Sequence, residues 1–165
     1  MLTSLNIKEP GLNALPPGVE RYVINGGGLT GIQILPDDEI EIINNEGNQI
    51  CEISIFNKDG KSDLAILNLK ESKDSSEIKK ILFKKDETSL QALYQLKKRN
   101  LDIEKSKAAN VFDKDCIAGE TIKLKSKDKC YCIFAAPGNA MLVHEQNPST
   151  DLTVMVKRAE IKADK

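Results

Sequence analysis

Short alternating runs of apolar and polar residues dominate both ends of this chain, and the middle switches to a helical period. Val19–Ile24 alternates after Pro16-Pro17-Gly18, which closes an irregular arm. Asn25-Gly26-Gly27-Gly28 then loops into Leu29–Leu35, where Leu29, Gly31, Gln33 and Leu35 alternate with Thr30, Ile32 and Ile34. A turn at Pro36-Asp37-Asp38 leads to Glu39–Asn44, and Asn45-Glu46-Gly47 leads to Ile50–Phe56. Asn and Gly accept the positive φ that tight turns demand, so these runs read as strands of an antiparallel meander closed at Lys58-Asp59-Gly60. In the last of them Ile53 and Ile55 face one way, Glu52 and Ser54 the other.

Between Leu64 and Ala109 the spacing is helical. Ser75 or Ser76 can cap a short helix carrying Ile78, Ile81 and Leu82. Asp86 can cap a longer one, with Leu90, Leu93, Tyr94 and Leu96 as its apolar stripe. Acidic residues open that helix, Lys97-Lys98-Arg99 end it in the order its dipole favours, and Asn100 stops it. A third short helix is expected near Ile103–Ala109. Strands resume at Val111-Phe112 and run through Thr121–Lys125, Cys130–Ala135 and Leu152–Val156, with turns at Pro137-Gly138-Asn139 and Asn147-Pro148-Ser149. The phrase Pro36-Asp37-Asp38-Glu39-Ile40-Glu41-Ile42 is echoed by Ala118-Gly119-Glu120-Thr121-Ile122-Lys123-Leu124, one copy on each side of the helical stretch. The pattern predicts one mainly β, α+β domain over 1–165, an antiparallel β barrel or sandwich. A helical segment is inserted at about 72–109, and the tail 160–165 reads as frayed or linker-like.

With 40% apolar residues but only 4% aromatics, the core must rest on Ile, Leu and Val. The 24 basic and 25 acidic residues leave a net charge of −1, too little to draw in nucleic acid or an anionic membrane. The Lys-rich segments carry no interleaved aromatics for base stacking and read as solvated faces. No apolar run reaches the roughly 20 residues that span a bilayer, and Met1-Leu2-Thr3-Ser4 opens no signal peptide. Without such a signal, Cys51, Cys116, Cys130 and Cys132 are expected to be reduced thiols of a cytoplasmic protein.

Cys130, Cys132 and His144 are the candidate ligand-binding residues. Two cysteines two apart in a strand share a face, and that face is expected to be the core. Their spacing is not that of a structural zinc site, so no metal is expected. His144, Ser149 and Asp151, or Cys132 beside His144, lack the strand–nucleophile–helix setting of a catalytic nucleophile, so no catalytic residue is assigned. Gly26-Gly27-Gly28 precedes a strand rather than opening a helix, which argues for a structural loop over a phosphate cradle. Asp37, Asp38 and Glu39 are explained by a turn and a strand start.

Two blocks carry a resemblance to the urea carboxylase-associated family. One is Leu15-Pro16-Pro17-Gly18-Val19-Glu20 with Asp38–Gln49; the other runs from Ala118-Gly119-Glu120 through Ala136-Pro137-Gly138 to Gln146–Leu152. From Pro16-Pro17-Gly18 to Val156-Lys157-Arg158-Ala159, helical middle included, the chain also resembles the N-terminal β-domain of glycine cleavage T-protein-like aminomethyltransferases. The Cys/His-containing central segment of the urea carboxylase-associated family has no counterpart, since Leu64–Ala109 holds neither residue. The resemblance implies a non-catalytic accessory domain of a folate-dependent aminomethyltransferase system in one-carbon or methylated-amine metabolism. Tetrahydrofolate would belong to the associated module, and the partner would be a T-protein-like methyltransferase, in cis or in trans; oligomers are compatible with it. The alternative is a freestanding small-molecule-binding protein or enzyme of the urea carboxylase-associated type, with a pocket near Cys130, Cys132 and His144. A structural interaction domain is the third reading.

Overall fold

A computed structural model describes residues 7–8, 18–72, 77–112, 116–137 and 150–159. The strands are β1 (Ile7–Lys8), β2 (Val19–Ile24), β3 (Leu29–Ile34), β4 (Glu39–Asn44), β5 (Cys51–Phe56), β6 (Ala108–Val111), β7 (Glu120–Lys125), β8 (Cys130–Ala135) and β9 (Leu152–Lys157). They form two sheets, ordered β1-β3-β8-β5-β6 and β2-β9-β4-β7, with helices α1 (Glu77–Leu82) and α2 (Glu87–Lys98) between β5 and β6 in sequence. All pairings are antiparallel except β1 with β3. The sheets stack as an open sandwich and do not close into a barrel.

The expected meander is not formed. β2 to β5 alternate between the two sheets, so each short turn is a corner rather than a hairpin, and β2 finds β9 while β3 finds β8. Alternation fixes which side chains face the core but is silent about which strand lies alongside. The echoed phrases do meet: β4 and β7 are antiparallel neighbours, with Ile40 opposite Leu124 and Ile42 opposite Ile122.

Two cores share the five-stranded sheet. Cys130, Cys132 and Phe134 of β8 join Ile53 and Ile55 of β5 against Tyr22, Ile24, Ile40, Ile42, Val154 and Val156 of the other sheet. The opposite face of the same strands, Ile133, Ala135 and Phe56, packs under Ile78, Leu82, Ala92 and Leu96 of the helices. Every residue of β5 is therefore buried, Glu52 and Ser54 included. Glu52 is accommodated by the helix above it: the Glu77 and Ile78 amides donate to its carboxylate at 3.0 and 2.6 Å.

Asp86 caps α2 as the sequence predicts, accepting from the Ser89 amide at 2.7 Å. Ser75 and Ser76 lie outside the described residues. The stripe on α2 is rotated from expectation. Ser89, Ala92 and Leu96 face the core, while Leu90 and Tyr94 are 54% and 63% exposed. Small residues let the helix sit close to its neighbour, and Ser89 loses its polarity by donating to the Ile81 carbonyl. A pattern that counts only large apolar residues misses that face. No helix forms at Ile103–Ala109; the helical segment ends at Lys98 and β6 begins at Ala108. Among the described residues, no helix is long and apolar enough to cross a membrane.

Candidate functional site

The cysteine pair lies where strand parity puts it. Cys130 and Cys132 are fully buried on the inner face of β8, with sulfurs 3.7 Å apart and the Ser126 hydroxyl 3.8 Å from Cys130. The contact with Cys132, aided by Ser126, pulls the Cys130 thiol down, whereas burial pushes Cys132 well up. Burial also pushes up Cys51. His144 lies outside the described residues, as does Ser149. Asp151 accepts from the Gly26 amide at 2.9 Å. Among the described residues no three His, Cys, Asp or Glu side chains are arranged to hold a metal ion. All four cysteines are buried free thiols, so a thiol reagent added to the native protein should give no fast phase. Full reaction of four thiols is expected only after denaturation; a rapid stoichiometric thiol would contradict this burial.

The glycine loop is committed to the fold. Gly26 donates to Asp151, Gly27 to the Ala136 carbonyl and Gly28 to the Asn25 carbonyl, at 2.9, 2.7 and 2.8 Å. None of these three amides is left to cradle a phosphate.

Asp37, Asp38 and Glu39 diverge. Asp37 turns the chain at positive φ, Glu39 faces outward, and Asp38 enters a buried ionic seam. There Arg158 donates to Asp38 at 2.7 Å, to Glu20 at 2.8 Å and to the Gln33 carbonyl at 2.8 Å. The Leu35 and Ala159 amides complete the Asp38 carboxylate, and the Tyr22 hydroxyl donates to Glu20. Burial opposes the Arg158 charge, but Glu20 and Asp38 more than offset it and raise its pKa. Glu20 was legible in principle: it shares the inward parity of Tyr22 and Ile24, an acidic residue at a core position. Arg158 follows a strand and carries no such mark.

Burial, reinforced by the bond to Glu20, raises Tyr22 to about 12. An acid whose folded pKa exceeds its unfolded value of about 10 binds its proton more tightly when folded. Stability is therefore unaffected by Tyr22 below about pH 10 and falls as pH rises from there toward 12. Denaturant titrations should show the native protein losing stability across that window faster than Tyr22→Phe; parallel curves would contradict the seam.

The outer face of the four-stranded sheet holds an open groove of about 420 Å³. Val19, Glu39, Glu41, Lys123, Lys125, Met155 and Lys157 line it, with Ile40 and Leu124 beneath. Register sets these residues in rows. Glu39 stands between Lys125 and Lys157, and Glu41 between Lys123 and Met155. The sequence does not mark these charges as a group, because the pairing of β4 with both β7 and β9 is what assembles them.

No family model matches the chain. It is 33% identical over 158 residues to a trimethylamine-oxide aldolase of Ruegeria pomeroyi. The match takes in 95% of this chain and 20% of that protein, so the chain spans about a fifth of the length of this curated relative. The likeness overturns the expectation of a non-catalytic accessory domain in a folate-dependent aminomethyltransferase system: the matching protein is named an aldolase of trimethylamine oxide, not an aminomethyltransferase.

Proposed function

We propose that this chain is a small-molecule-binding protein of the urea carboxylase-associated type, working in methylated-amine metabolism with a small methylated amine or its N-oxide as ligand. The observation that carries the reading is the 33% identity across nearly the whole chain to a protein named for trimethylamine oxide. The fold is compatible with a binding role. Among the described residues, side chains and the Arg158 seam pack between the two sheets, and a groove is open on the outer face of the four-stranded sheet. No residue is assigned a catalytic role.

Ligand-observed NMR tests this directly, because trimethylamine N-oxide gives one sharp methyl signal. The chain should produce saturable saturation transfer to that signal, with a Kd of about 1 mM or tighter, as befits a partly open site. Urea and glycine at equal concentration should not displace it. Absence of saturable transfer from trimethylamine N-oxide, trimethylamine and dimethylamine alike would overturn the reading.

A further inference from the structure

We infer that the groove on the outer face of β4, β7 and β9 is a binding site for a small dipolar methylated amine, an N-oxide in particular. The inference rests on the functional reading above and gives it a location.

Three features argue for a dipolar ligand. Glutamates occupy the middle strand and lysines the strands on either side, so residues of opposite charge are cross-strand neighbours with Cβ atoms roughly 5 Å apart. Among the described residues, Glu41, Lys123, Lys125 and Lys157 form no ion pair with one another within 4 Å. Met155 and Val19, both half-buried, add apolar surface beside the charged rows.

An N-oxide matches this layout. Its oxygen carries negative charge and accepts hydrogen bonds, which the lysine ammonium groups donate. Its methylated nitrogen is positive and has no N–H, so it is stabilised by a nearby carboxylate such as Glu41, with its methyl groups against Met155. The groove discriminates by charge. Three lysines against two glutamates leave it with a formal excess of one positive charge, which disfavours a simple tetraalkylammonium ion. That excess is tolerated by a ligand that brings its own anionic oxygen.

The same NMR assay, run on the 165-residue chain and its variants, locates the site. Glu41→Gln and Lys157→Gln should each weaken trimethylamine N-oxide binding at least about 5-fold, and Lys84→Gln, on the helical side, should leave it unchanged. Tetramethylammonium should bind at least about 5-fold more weakly than the N-oxide. Raising salt from 0.01 to 0.5 M should weaken N-oxide binding, because exposed charges are screened. Both groove side chains are outward-facing, so their variants should keep the parent's far-UV circular dichroism spectrum. Parent-like affinity in both groove variants, or preference for tetramethylammonium, would overturn the groove while leaving the functional reading standing. Failure of the parent chain to bind the N-oxide would overturn the groove, and failure to bind trimethylamine and dimethylamine as well would overturn the functional reading.

Discussion

Arg158→Ala is expected to destabilise the fold by about 3–5 kcal/mol, the usual cost of removing one partner from a buried ionic group. The guanidinium is 1% exposed and stands between two fully buried carboxylates, Glu20 and Asp38. Without it those carboxylates keep their desolvation cost and lose their counter-charge. Part of Asp38 remains satisfied by the Leu35 and Ala159 amides, and part of Glu20 by Tyr22, so the loss should fall within that range rather than above it. The seam ties the end of β9 to the start of β2 and to the turn before β4, which is why one side chain has so wide a reach. A control separates charge from packing: Arg158→Ala combined with Glu20→Gln and Asp38→Asn should recover part of the loss. Urea denaturation at neutral pH measures both, and a single-variant cost below about 1 kcal/mol would contradict the buried seam.

Phe56→Ala should cost about 3–5 kcal/mol as well, through lost transfer energy and the cavity left behind. Phe56 is fully buried on the helix-facing side of β5, in the same cluster as Ile78, Leu82 and Leu96. Leu96→Ala should cost about 2–5 kcal/mol by the same reasoning. Leu90→Ala and Tyr94→Ala, on the exposed side of α2, should stay within about 0.5 kcal/mol. Equal costs at Leu90 and Leu96 would mean that the helix is turned toward the stripe its large residues suggest.

These contrasts show what the sequence disclosed and what it did not. Strand positions were legible because apolar residues alternate: β2, β4, β8 and β9 begin and end within a residue or so of where the pattern puts them. The Asp86 cap was legible because the residue that accepts the bond sits three positions from the amide it serves. Partnership between strands was not, since β2 and β9 are joined only by contacts far apart in sequence. The inward face of α2 was hidden because Ser89 and Ala92 do not look hydrophobic. Burial of Cys130 and Cys132 followed from parity alone. The groove could not be read in advance: Glu41, Lys123 and Met155 come from three strands, and each taken singly is an ordinary outward residue.

The measurement that bears most directly on the account is an amide chemical-shift map of the chain during titration with trimethylamine N-oxide. The account predicts saturable shifts concentrated at Glu39, Glu41, Lys123, Lys125, Met155 and Lys157, fitting one binding constant, with the helices unaffected. The absence of any saturable shift up to tens of millimolar N-oxide would contradict it.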